Sequence, residues 1–181
     1  MSKLKISIID NIIKVEGGYV DDPSDSGGET IYGITKVVAR ENNYSGDMKL
    51  MPIEIARKIY EDRYWEPLKL TAIEKMSLII TEELADTAVN MGVGRAGKFL
   101  QRSLNVLNDR EQLYPDLIVD GQVGSKSLQS LGEYLSHRGT EGEFVLFKML
   151  NCLQGAFYVT LSEKREKDER FIFGWLKNRV S

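Results

Sequence analysis

The chain has 181 residues, 24 Lys and Arg against 27 Asp and Glu, a net charge of -3, one cysteine and one histidine. That length suits one domain, or one domain with a small appended lobe, and the balanced charge, with no basic block interleaved with aromatics, argues against a nucleic-acid binder or a membrane-surface protein. A single cysteine excludes an intramolecular disulfide, and His137 with Cys152 is too small a donor set for a catalytic zinc site, so no metal and no cofactor is expected.

The elements read as mainly helical. The first segment, Leu4 to Glu16, places Ile9, Ile12 and Ile13 seven, four and three residues before Glu16. Those offsets share one helix face, so Glu16 is expected in phase with a buried stripe. Asp10 and Asn11 interrupt the apolar run and no small-residue cleavage site follows, so the segment does not read as a signal peptide. From Gly17 to Thr35 the chain is rich in Gly, Asp and Ser, and Tyr19-Val20 and Thr30-Ile31-Tyr32 are expected to pair as a short hairpin. Thr35 caps a short helix to about Asn42. Pro52 opens a helix to about Arg63 with Ile55, Ile59 and Tyr60 inward, closed by Tyr64-Trp65-Glu66-Pro67.

Further along, a helix is expected from Met76 to Met91, with Ile80, Leu84, Ala88 and Met91 on its apolar side, and Gly92-Val93-Gly94 breaks it. Another runs from about Arg95 to Leu107, with Phe99, Leu100, Leu104 and Leu107 in phase. Asn108 to Gly124 reads as loop, Ser125 to His137 as a short helix, and Phe144 to about Lys164 as a long buried one holding Cys152 in the core. His137 is expected on the surface, which sets aside a Cys-His nucleophilic pair. The aromatic segment Phe171 to Leu176 is expected to dock on the core. No stretch approaches about 18 consecutive apolar residues, so no transmembrane helix is expected. Gly92 to Gly94 is the expected boundary between residues 1–92 and 93–181.

The chemistry concentrates between Glu16 and Thr30. A carboxyl beside apolar surface tends to hold its proton and one in a polar turn tends to lose it. That pairing is what acid-catalysed cleavage of a glycosidic bond requires. Glu16 is the candidate proton donor, Asp25 the candidate for activating water or stabilising positive charge on the sugar, and Thr30 a neutral hydroxyl that orients water. Asp21, Asp22 and Asp25 do not match the spacing of an EF-hand loop. Taken one at a time, Glu16 reads first as a solvated residue near a helix cap and Asp25 first as a turn residue; only their conjunction with Thr30 points to catalysis.

Glu16, eight intervening residues, Asp25 and then Thr30 before Ile-Tyr-Gly-Ile resembles the Glu-Asp-Thr triad of phage-type lysozymes, with Asp25 to Thr30 one residue shorter. The phrase Glu16-Gly-Gly-Tyr19 to Asp25-Ser-Gly-Gly-Glu-Thr30-Ile-Tyr-Gly33-Ile34 is similar to glycoside hydrolase family 108. Arg63-Tyr64-Trp65 and Asp86-Thr-Ala-Val-Asn90-Met-Gly92 look like further signatures. Ala96-Gly-Lys-Phe-Leu-Gln101, Asp120-Gly121-Gln-Val-Gly124 and Phe173-Gly-Trp175 resemble the family's peptidoglycan-binding-like region.

The resemblance implies a mainly α, lysozyme-like fold with a small β-hairpin lobe walling a cleft, a lysozyme-like catalytic region over 1–92, and a helical peptidoglycan-binding-like region over 93–181. It implies a muramidase that cuts the β-1,4 bond between N-acetylmuramic acid and N-acetylglucosamine, expected to invert the anomeric centre, with Glu16, Asp25 and Thr30 as catalytic residues. Tyr19, Tyr32, Tyr64 and Trp65 are candidates for stacking on sugar, and Asp86 and Asn90, four apart on one helix face, for lining the cleft. Peptidoglycan is the expected partner, with no nucleic acid, no stable membrane association and a monomeric chain. The setting expected is a phage endolysin held in the cytoplasm until released to the wall. Two other readings stay open: a lytic transglycosylase, which needs the glutamate alone, and a non-catalytic wall-binding or secretion-associated protein.

Overall fold

The computed structural model describes residues 2–21 and 28–180. The chain divides into two compact units, Met1–Arg63 and Tyr64–Ser181.

In the first unit, α1 (Lys3–Glu16) starts at Ser2, whose hydroxyl accepts from the Lys5 amide, and buries Ile9 and Ile13 as its apolar spacing requires. Arg57 on α3 (Ile53–Tyr60) grips Asp10 with two hydrogen bonds of 2.7 and 2.9 Å, which fixes the rotation of α1 against α3. The guanidinium beside Asp10 holds that carboxyl below its usual range. Lys5, itself buried, pairs with Glu61.

The expected pairing of Val20 with Thr30 is present as an antiparallel bridge, with both amide-to-carbonyl distances 2.8 Å. A further pairing was not anticipated: β1 (Thr30–Ile31) folds back on β2 (Ile34–Thr35), Thr30 opposite Thr35 and Ile31 opposite Ile34. The turn between them is Tyr32-Gly33, with φ of 54° and 71°. Positive φ at both central residues matches the right-handed twist of the strands, but Tyr is an unusual first residue for such a turn. Its backbone is held on both sides: the Tyr32 amide donates to the Gly17 carbonyl at 3.1 Å, and the Tyr60 hydroxyl donates to the Tyr32 carbonyl at 2.9 Å. Thr35 then caps α2 (Lys36–Glu41) by accepting from the Val38 amide.

The helix after Pro52 is shorter than the sequence predicts. It ends as an α-helix at Tyr60 and continues as one π turn, Glu61–Trp65. In a π turn residues five apart come back toward one face, which accounts for Tyr60 and Trp65 both being buried.

The second unit is helical. α4 (Leu70–Glu74), one turn long and unsignalled by periodicity, buries Leu70 and Ile73. α5 (Leu78–Met91), capped by Ser77, packs on α6 (Val93–Leu107) across Gly92, which ends the first helix and begins the second. Ile80, Leu84 and Ala88 of α5 and Leu100 and Leu104 of α6 form the centre of the core. α7 (Ser125–Lys164) packs on both; its two predicted halves meet at Gly139, where φ is 59° and ψ is -152°. By length and composition alone α7 would pass as a membrane span. Its buried face carries Asn151, Gln154 and Tyr158 beside Leu146 and Leu150, the pattern of a core helix in a protein bundle.

Cys152 is exposed, not buried as expected. Its neighbours Leu150, Asn151 and Gln154 take the inward face, and the position turns outward. α8 (Glu169–Arg179) buries no residue fully; it is held by Trp175 stacked on Tyr158 at 5.0 Å and by Arg179 bonded to Asp86 at 3.0 Å.

Candidate active site

Glu16 is the last residue of α1, and its side chain is exposed. The expectation of a carboxyl sunk in the apolar stripe is corrected here: Glu16 shares the phase of Ile9 and Ile13, but the helix ends at Gly17 and the last turn reaches past the core. What surrounds its carboxylate is the hairpin turn. A β-carbon at Gly33 would lie 2.9 Å from Glu16 Oε2, 3.0 Å from Glu16 Cβ and 2.9 Å from the Tyr60 hydroxyl. Gly33 therefore does two things. It adopts a φ that other residues resist, and it leaves the space in which the Glu16 carboxylate and the Tyr60 hydroxyl both lie. From sequence, Tyr60 was expected only as an inward helix residue and Gly33 only as part of the Glu16-to-Ile34 phrase, neither as a neighbour of Glu16. A Tyr-Gly pair between Ile31 and Ile34 was the available signal for the turn; nothing local signals Tyr60.

Thr30 lies on β1, half-buried, and its hydroxyl donates to the Gly28 carbonyl at 3.1 Å. It belongs to the same hairpin whose turn packs on Glu16. Asp25, and Asp22 with it, lie outside the described residues.

Tyr19 is tied into a charged cluster. Its hydroxyl donates to Glu29 Oε1 at 3.1 Å, Lys36 donates to Glu29 Oε2 at 2.5 Å, and the Lys49 ammonium sits 4.9 Å from the Tyr19 ring centre. Burial, the bond to Glu29 and the charge of Asp21 push the Tyr19 hydroxyl up to about 12, and the bonds from Lys36 and Tyr19 lower Glu29. This cluster braces the chain on either side of residues 22–27. Tyr32 is half-buried at the turn.

Tyr64 is half-buried, but Trp65 is 2% exposed and its indole donates to Thr71 at 2.9 Å. Trp65 is a core residue with no ring face open to a sugar, which overturns the stacking role expected of it. Asp86 and Asn90 do bond each other, at 3.0 Å. Asp86 also accepts from Gln154 at 3.0 Å and from Arg179 at 3.0 Å, so it ties α5 to α7 and α8 while its side chain stays 38% exposed. Nearby, Glu83 is 6% exposed, accepts from Asn151 at 3.0 Å, and is raised to about 7 by burial and by the charge of Asp86. Among the described residues no three His, Cys, Asp or Glu side chains gather as a metal site would need.

The structure thus brings together an exposed helix-terminal glutamate, a glycine turn and a threonine on the same short hairpin. The comparisons specify the family. The glycosyl hydrolase 108 model matches residues 9–92, and the model described as a predicted peptidoglycan domain matches residues 95–180. A glycosyl hydrolase 108 region followed by a predicted peptidoglycan domain indicates a peptidoglycan-degrading glycoside hydrolase of the muramidase kind. No curated protein matches it. Among solved structures, that of SagA from Brucella abortus is similar in fold: the TM-score is 0.63 at 21% identity, over 96% of this chain and 87% of that one.

Proposed function

We propose that this muramidase works by direct attack of water, with Glu16 protonating the leaving glycosidic oxygen, Asp25 activating the water on the opposite face and Thr30 orienting it. The observation that supports this reading is the accessibility of the Glu16 carboxylate beside Gly33 and Tyr60, at the root of the hairpin that carries Thr30. An acid must reach the leaving oxygen before its affinity for a proton matters. Direct attack inverts the anomeric centre, and time-resolved NMR of a soluble glycan would then give the α-anomer first; a β-anomer as first product contradicts inversion.

Residues 1–92 form the catalytic region in this reading and 93–181 the wall-binding-like one. Tyr32, Tyr64 and Asn90 are the side chains we assign to substrate contact. The biological setting we propose is a phage endolysin, monomeric, held in the cytoplasm until it reaches the wall.

The deciding experiment is digestion of purified peptidoglycan with the parent, Glu16→Gln and Asp25→Asn, products read by mass. The expected result is reducing-end muropeptides from the parent and loss from both variants. Products ending in 1,6-anhydro sugar, undiminished by Asp25→Asn, would instead make the protein a lytic transglycosylase. Equal lysis by Glu16→Gln would remove the assignment of the acid.

A further inference from the structure

Tyr60 has no part in the reaction as written above, yet its hydroxyl lies beside the acid. It is the last residue of α3 before the π turn and is 6% exposed. A buried phenol hydroxyl needs a partner, and this one donates to the Tyr32 carbonyl at 2.9 Å. The point where a β-carbon of Gly33 would stand is 2.9 Å from the Tyr60 hydroxyl and 2.9 Å from Glu16 Oε2, so the two oxygens are at most twice that distance apart. Glycine leaves the gap between them open.

The turn that fills this corner is held in place from outside. Tyr32 has a φ of 54°, a left-handed conformation that a tyrosine keeps only where its surroundings impose it. Hydrogen bonds at both ends of its backbone impose it here. The Tyr32 amide donates to the Gly17 carbonyl at 3.1 Å, and the Tyr32 carbonyl accepts from Tyr60. Gly17 directly follows Glu16, so Tyr32 joins the chain beside the acid to the hydroxyl of Tyr60.

The helices behind the turn are joined as well. Arg57, three residues before Tyr60, holds Asp10 of α1 at 2.7 and 2.9 Å, and Glu61, next to Tyr60, pairs with the buried Lys5 of α1. Tyr60 therefore stands on a helix fixed to the one that ends in Glu16. Glu16 itself is exposed, so burial does not restrict its side chain. A flexible glutamate spreads over several rotamers, whereas proton transfer needs the carboxyl within about 0.5 Å of its productive place.

We propose that Tyr60 is a positioning residue for the catalytic acid: its hydroxyl pins the Tyr32-Gly33 turn against Glu16 and so confines the carboxyl to the orientation that meets the leaving oxygen. The inference rests on the reading of Glu16 as that acid. Tyr60 is buried and its proton is committed to Tyr32, so it acts on the reaction through Glu16 and not by contact with sugar.

The test uses the full chain and soluble glycan strands. Tyr60→Phe keeps the ring and removes the hydroxyl; it is expected to lower kcat about tenfold with KM within about twofold. Amide exchange at Tyr32 and Gly33 is expected to quicken by about tenfold, which places the effect at the turn. Tyr134→Phe is the control: that hydroxyl, in the second unit, also donates to a backbone carbonyl, of Gly142 at 2.8 Å, and its loss is expected to leave kcat within about twofold. In a Glu16→Gln background Tyr60→Phe is expected to change the residual rate less than about twofold, because a residue that acts through the acid has nothing left to position. An unchanged kcat, a KM that rises as much as kcat falls, unchanged exchange at the turn, or the same tenfold loss in the Glu16→Gln background overturns the proposal. An inactive Glu16→Gln with an indifferent Tyr60→Phe sinks the role of Tyr60 alone. A fully active Glu16→Gln sinks the reading of the acid, and the role of Tyr60 with it.

Discussion

Each compact unit holds one glutamate that invites the role of proton donor, and they differ in opposite respects. Glu83, in the second unit, has the affinity a general acid wants, raised to about 7 by burial. It is also sealed: 6% exposed and bonded to Asn151. Glu16, in the first, is exposed at a helix end, with a glycine turn and a tyrosine hydroxyl beside it. A buried carboxyl with a raised pKa is a common marker of an active site, but structural burial produces the same shift. Access to the leaving oxygen separates the two, and the hydrolase model covers both positions, so position within the match does not.

The comparison breaks most sharply in activity. Glu16→Gln is expected to cut wall digestion by about 10²- to 10⁴-fold, the usual worth of general acid catalysis. Glu83→Gln should leave the rate within about twofold, since the change is nearly isosteric and distant in role from the chemistry. If turbidity assays showed the reverse order, the acid would have to be sought in the second unit.

Stability sharpens the same contrast from the other side. The folded-state pKa of Glu83, about 7, lies above its ordinary 4.5, so the folded protein holds a proton that the unfolded chain releases. The contribution is favourable below about pH 4.5 and is lost as pH rises toward about 7. Glu83→Gln should flatten that slope and raise stability at pH 7.5 by up to about 3 kcal/mol, read by urea unfolding at several pH values. A steeper slope in the variant would mean that the buried carboxylate is ionised and paired.

A smaller effect is expected at Gly33. Gly33→Ala forces a β-carbon into the space held by Glu16 Oε2 and the Tyr60 hydroxyl, at a φ of 71°. We expect about 1–2 kcal/mol lost from thermal stability and about tenfold from kcat, with KM changed less. An unchanged kcat would show that the hairpin turn does not position the acid.

Much of this molecule was written in local pattern. The helical spacing of Ile9 and Ile13, of Ile80, Leu84 and Ala88, and of Leu100 and Leu104 is enough to place three helices and their inward faces, because a 3.6-residue period has only one way to bury such a stripe. Caps at Thr35, the break at Gly92 and the Glu16-to-Thr30 phrase were likewise legible, and the phrase led to the family that the matching models name. Tertiary structure decided the rest. Whether Glu16 is sunk or exposed depends on where α1 outruns its core, and whether Trp65 faces solvent depends on a π turn that no period announces. Cys152 turned outward because Asn151 and Gln154 took the inward face, bonded to the carboxylates of Glu83 and Asp86, a choice made 68 residues away in the chain. The partners of Gly33 and Gly97 are likewise outside their local sequence, since a glycine's missing side chain says that something approaches and not what it is. Sequence determined the long helices and the residue types that carry the chemistry, because their periods are local; packing between distant elements decided the hairpin turn, the π turn and which side chains stand exposed.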